Sequence, residues 1–314
     1  MSTHPPATAP AQSEPERAAP RTPRRLALAA LRTARPHQWP KNLLVLAAPL
    51  AGSTLGRQGR GALDLTIAVL AFTCASAGVY LVNDVLDMER DRGHPGKRLR
   101  PVACGELGRS QALALGALCV LAAEAAGPLR LGVWFTVTIT AYLATSLLYS
   151  LGLKHLPVIE LALVASGFVL RALGGAAAAR IPPSGWFILV CSLGALLVVI
   201  AKREKELAAL GRPAAVQHRP CLRWYSTSGL LLGGRLVAAA MLTAYLFWAL
   251  GEPDPWTRTW RLVTLVPLAG ALLRFDRLTT RAGTSRVEDL LTRDRVMLVL
   301  EALWLLLFVL GMWL

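Results

Sequence analysis

Nine stretches of the chain are apolar, and each ends at a polar loop. They run over 43–55, 63–82, 111–127, 131–153, 156–179, 185–201, 229–250, 262–273 and 296–314. A helix needs about 20 apolar residues to cross a bilayer, so most of these predict membrane spans. The first and the eighth are short, and each holds a proline, Pro49 and Pro267. Isolated charges at Glu124, Glu160, Arg171 and Arg235 interrupt other stretches. No stretch alternates with the period of two that a strand requires. The pattern therefore predicts an all-α polytopic membrane protein of nine helices.

Charge assigns an orientation to these helices. With nine spans, the loops on the N-terminal side hold 26 Lys and Arg, and the opposite loops hold 6. Cytoplasmic loops carry the excess of basic residues. The split predicts a cytoplasmic N-terminus, an external C-terminus, and a plasma-membrane protein whose polar machinery faces the cytoplasm. Residues 1–25 are rich in Pro and Ala and lack the apolar core of a signal peptide. The domain division is a disordered cytosolic tail at 1–30 and a membrane domain at 31–314. The net charge of +15 would suit nucleic acid in a soluble chain, but with 54% hydrophobic residues it reads as topology and anion binding, and no nucleic-acid partner is expected. Five scattered cysteines, without metal or disulfide spacing, add no framework.

The chemistry gathers on the basic side. "NDVLDMERDRGHPGKRLRP" follows the second span and places Asp84, Asp87 and Asp91 at i, i+3 and i+7. On a continuous helix these lie within about 60° of one another. Three crowded carboxylates call for a cation, and hard oxygen donors suit Mg²⁺ bridging to phosphate. His94, Lys97, Arg98 and Arg100 follow at once, and guanidinium forks match phosphate oxygens. Together they describe a diphosphate site. A second cluster, "YSLGLKHLPVIEL", carries Tyr149, Lys154, His155 and Glu160, and Arg171 lies in the same span as Glu160. Ionisable groups at membrane depth are costly, and face either a polar cavity or each other across helices. "AKREKEL" brings Lys202 and Arg203, "RVEDLLTRDR" brings Glu288, Asp289 and Asp294, and "RPHQWPKN" puts Arg35 and Lys41 near the same face. The run "GGAAAAR" offers small residues for close helix packing.

"NDVLDMERD" fits NDxxDxxxD, and the chain thereby resembles the UbiA superfamily of intramembrane prenyltransferases, whose nine helices surround a lipid-open cavity. The pieces "YSLGLKHLPVIELALVASGFVLRALGG", "IPPSGWF", "AKREKEL" and "VEDLLTRDRV" are most similar to its decaprenyl-phosphate phosphoribosyltransferase branch. The resemblance implies an Mg²⁺-dependent enzyme. It would move 5-phosphoribosyl from 5-phosphoribosyl diphosphate (PRPP) to a polyprenyl phosphate, release pyrophosphate, and supply a cell-wall arabinan donor. Asn83, Asp84, Asp87 and Asp91 would hold the metal and diphosphate. Arg92, Lys97, Arg98 and Arg100 would contact phosphates, with Tyr149, Lys154 and His155 lining the other half. The resemblance also leaves room for a homo-oligomer. Glu160 stands where the family carries aspartate, and Ala201 where it carries glycine. The alternative within the superfamily is transfer of a prenyl group from prenyl diphosphate to an aromatic acceptor. That chemistry usually brings a second DxxxD pair, and here Val164 stands four residues after Glu160. A non-enzymatic lipid carrier would not need three aspartates beside an arginine block.

Overall fold

The computed structural model describes residues 22–51, 61–280 and 287–313. Its elements are helical throughout the described residues. Helix α1, Pro23–Ala34, opens with proline at its first turn, where no backbone N–H is missed, behind a Thr22 cap. It begins inside the stretch expected as tail; Ala29, Thr33 and Ala34 form its buried face, and Arg24, Arg25 and Arg32 lie on its exposed side. Residues 1–21 lie outside the described residues. Arg35 ends α1 in the left-handed region at φ 54°.

The stretch expected as the first span is not one α-helix. Residues Pro36–Leu46 form a 3-10 helix, and α2 covers only Ala47–Ala51. Pro40, inside this segment, lacks the N–H that an α-helix would use, and its ring crowds the preceding turn. The rest of that stretch, 52–55, lies outside the described residues.

The other stretches are helices. In order they are α3 (Gly61–Leu86), α4 (Met88–Arg92), α5 (Arg109–Ala126), α6 (Val133–Leu151) and α7 (Ile159–Ala178). After these come α8 (Gly185–Leu210), α9 (Arg212–His218), α10 (Thr227–Leu250), α11 (Pro255–Thr280), α12 (Val287–Arg293) and α13 (Arg295–Trp313). Six of these, α3, α5 with its π-turn extension, α6, α7, α8 and α10, are long and apolar enough to cross a membrane. Helices α11 and α13 cover the eighth and ninth apolar stretches. The long helices and their ends display large exposed apolar side chains, such as Leu129 after α5, Trp134 on α6 and Val266 on α11, as lipid contact requires. This is a multi-pass membrane protein.

Close packing decides which ends meet. Helix α3 lies against α5, α6 against α7, α8 against α10, and α11 against α13. Small residues permit the tightest approaches: a Cβ on Gly175 would overlap the carbonyl of Val45, and one on Gly174 would overlap the Phe72 ring. Phe72, Phe135, Ile139 and Tyr142 fill the core between α3, α6 and α7. Arg171 closes this core. Its Nε donates to Asn42 Oδ1 at 2.8 Å and its Nη2 to the Tyr142 hydroxyl at 2.9 Å.

Candidate active site

The polar cluster forms where α3 ends, α6 hands over to α7, and α8 runs out towards α10. Helix α3 stops at Leu86, and Asp87 occupies a turn at φ −91°, ψ 2° before α4 begins. This break alters the expected single face of three aspartates. Asp84 and Asp91, both buried, turn towards one position: Arg100 Nη1 lies 3.3 Å from Asp84 Oδ1 and 2.6 Å from Asp91 Oδ2. Arg35 Nη2 joins them at 2.6 Å from Asp84 Oδ1, with its guanidinium over the Tyr80 ring. The left-handed cap of α1 delivers Arg35 to this point. Asp87 pairs with different cations, Lys154 Nζ at 3.3 Å and Arg90 at 3.8 Å. Among the described residues no three acidic, His or Cys side chains gather as a ready metal cluster. Asn83 is half-buried, and its carbonyl accepts the Asp87 N–H at 2.9 Å.

Lys154 ties the second cluster to the first. His155, next to it, has its Nδ1 buried with no hydrogen-bond partner among the described residues. Burial, then the charges of Lys154, Arg90 and Arg219, pushes its pKa below the usual imidazole value. Lys97 is also pushed down, by burial and then by Arg100, and it too feels Arg219. The loops at 84–100, 154–155 and 219 therefore share one electrostatic field. Val158 precedes α7 at φ 63°, a conformation that β-branched residues avoid. The Tyr225 hydroxyl accepts its N–H at 2.7 Å and helps hold that turn.

Glu160 is sealed rather than open to a ligand. It is fully buried, and Arg203, 2% exposed, grips both its oxygens: Nε at 2.7 and 3.0 Å and Nη2 at 2.7 Å. Arg219 stands 3.7 Å from the same carboxylate, donates to the Tyr149 hydroxyl at 2.9 Å, and approaches Glu206 at 3.4 Å. Here the sequence alternative of an ion pair between helices describes Glu160 and Arg203.

Other residues singled out from sequence stand apart. Arg171 lies about 17 Å along α7 from Glu160 at 1.5 Å per residue, inside the core, and not among the phosphate-type cations. Arg92 turns to Glu89 at 2.8 Å and to the Ala103 carbonyl at 3.2 Å, holding its own loop. Arg98 and Lys202 are exposed, and Lys41 is half-buried on the 3-10 segment. Asp294 caps α13 through the Met297 N–H and pairs with Arg274, which together hold its carboxyl down to about 2. The Glu288 and Asp289 side chains lie outside the described residues. Sequence reasoning missed Arg219, Glu206 and Asn42. Arg219 had a faint signal, a basic residue before Pro220 on the same inner loop as Arg203.

The comparisons agree with this architecture. The UbiA prenyltransferase family model matches residues 45–293. A decaprenyl-phosphate phosphoribosyltransferase of Mycolicibacterium smegmatis is 35% identical over 298 residues, covering 90% of this chain and 92% of that protein. One of Corynebacterium glutamicum is 36% identical over 297 residues, covering 93% and 89%. The structure of a UbiA homolog from Archaeoglobus fulgidus bound to GPP and Mg²⁺ superposes with a TM-score of 0.68 at 16% identity, over 91% of this chain and 100% of that one. The chain belongs to the UbiA prenyltransferase family.

Proposed function

We propose that this enzyme transfers 5-phosphoribosyl from PRPP to a polyprenyl phosphate at the cytoplasmic end of its helices. An oxygen of the polyprenyl phosphate attacks C1 of the ribose, the C1–O bond to the diphosphate breaks, and pyrophosphate leaves. The observation that carries this reading is the facing arrangement of Asp84, Asp87 and Asp91 with Arg35, Arg100, Lys97 and Lys154. Similarity over most of the chain to decaprenyl-phosphate phosphoribosyltransferases supports the same choice of substrates.

The donor set fits Mg²⁺. Two buried aspartates converge on a single cationic nitrogen, and hard carboxylate oxygens at such a point are what Mg²⁺ takes. Asp84 and Asp91 would hold the ion with Asp87 beside it, and the ion supplies positive charge to the departing diphosphate. Arg35 and Arg100 neutralise the same carboxylates and lie ready for phosphate oxygens. Lys97 adds charge from the same loop as Arg100, and Lys154 from the opposite one. The attacking phosphate is already an anion, so no general base is required, and stabilising the leaving group provides most of the rate.

The sealed state of Glu160 favours this chemistry over aromatic prenyl transfer, since its carboxylate is committed to Arg203 and has no acidic partner at Val164. The test is purified protein with labelled PRPP, a polyprenyl phosphate and Mg²⁺, with and without EDTA. Label entering the lipid phase and lost with EDTA is the expected result. Transfer only from a prenyl diphosphate to an aromatic acceptor would overturn the choice of substrates.

A further inference from the structure

A cavity of about 350 Å³ lies between α8, α10 and α11, within the range of small-ligand sites. Its walls are mainly apolar, with Leu197, Ile200, Leu230, Leu242 and Leu272 among them. Leu273 on its rim is largely exposed, so the cavity opens towards lipid. Three of its polar groups already have partners. Arg235 holds Asp276 through contacts of 3.0 and 3.3 Å, and the Thr279 hydroxyl donates to its own helix. Glu204 differs. It lines the cavity, is only 4% exposed, and its Oε2 is buried with no hydrogen-bond partner among the described residues. A buried acceptor left unmade costs stability, so a carboxylate in this position calls for a donor.

We propose that this cavity is a second lipid site, taking an amphiphile whose head group donates a hydrogen bond and carries no phosphate, a long-chain alcohol or amine. The apolar walls take the chain, and Glu204 Oε2 takes the O–H or N–H. A purely apolar chain would leave the carboxylate unmatched. A phosphate would bring like charge against this buried carboxylate, where screening is weak. The site is therefore chemically opposite to the cation-rich cluster at Asp84 and Lys154. Arg203, which holds Glu160, is the neighbouring residue on α8, so the two sites share one helix.

The full-length protein in phosphatidylcholine nanodiscs would be titrated with octanol, octylamine and octyl phosphate, read by native mass spectrometry and thermal unfolding. The alcohol or the amine is expected to bind one-to-one and raise the unfolding temperature, and the two arms separate these head groups; the phosphate is not expected to bind. Glu204→Leu should weaken binding at least tenfold without lowering the ligand-free unfolding temperature, because it removes an unpartnered buried acid. Gly234→Leu should block the cavity, since a Cβ there meets Ile200 and Leu197 only at 3.7 and 3.8 Å and a longer side chain would enter the space. Equal binding of octyl phosphate, no binding of either donor, or an undiminished adduct in both variants would overturn the proposal.

Discussion

Replacing Arg203 with methionine separates scaffold from chemistry in this site. The Glu160–Arg203 pair is the most deeply buried ion pair among those described, with side-chain exposures of 0% and 2%. Removing one partner from such a pair leaves a charge stranded out of water, a loss of about 3–5 kcal/mol. Arg219, 3.7 Å from the Glu160 carboxylate, can take up part of that charge, which puts the expected loss near the lower end, about 3 kcal/mol. Replacing both partners with methionine removes the stranded charge and is expected to restore most of the stability. The assay is a double-mutant cycle of reversible unfolding in mixed micelles, with Arg203→Met, Glu160→Met and the double variant. The half-exposed Arg92–Glu89 pair is the control, expected to contribute no more than about 1 kcal/mol. A loss of under about 1 kcal/mol for Arg203→Met, or a double variant as unstable as either single one, would refute the reasoning. Turnover of the refolded double variant gives a second reading. Loss of all activity in a stable double variant would mean that Glu160 or Arg203 meets substrate after all.

Asp84→Ala should lower turnover by about a hundredfold to a thousandfold while the protein still elutes as a folded species, because it removes the anchor shared by Arg35 and Arg100; near-normal turnover in an Asp84→Ala/Asp87→Ala variant would remove the metal-site reading. Arg98→Ala should raise the KM for PRPP with kcat little changed, whereas Arg92→Ala, whose guanidinium holds its own loop, should leave KM nearly unaltered; steady-state kinetics on the two variants checks this contrast. His155 is held below its ordinary pKa of 6.5, mainly by burial, so below that pH the unfolded chain binds a proton that the folded chain refuses. Stability linked to His155 is thus full above about pH 6.5 and falls as the pH drops through its folded pKa, and His155→Asn should flatten that part of a plot of unfolding temperature against pH.

Much of the candidate site was legible because its residues are close in sequence. Asp84, Asp91 and Arg100 sit within one helix end and the loop after it, so the acid-rich run beside a basic block announced itself. What was hidden depended on a short break. One turn at Asp87 sends its carboxylate to Lys154, while its neighbours converge on Arg100. Periodicity read across the break assumes a continuous helix, and no residue there is a strong breaker. Arg171 looked like a cavity cation from its isolation in an apolar run. Asn42, on a 3-10 segment remote in sequence, turned it into a core anchor.

The long helices could be read from the chain alone, because a bilayer offers no partner for backbone groups and so forces apolar runs of sufficient length into helices. The local density of aspartate and arginine likewise pointed to a phosphate-binding end without any tertiary contact. Only packing decided the pairings between distant residues. Glu160 meets Arg203 from another helix, Tyr149 meets Arg219, and Arg35 reaches Asp84 from the end of α1. Close approach is decided in the same way elsewhere, where Gly174 and Gly175 let α7 meet Phe72 and Val45, and the left-handed turn at Arg35 ends α1 beside Asp84. A linear pattern carries the propensity of each segment; burial and partner choice arise only when the segments fill the same space.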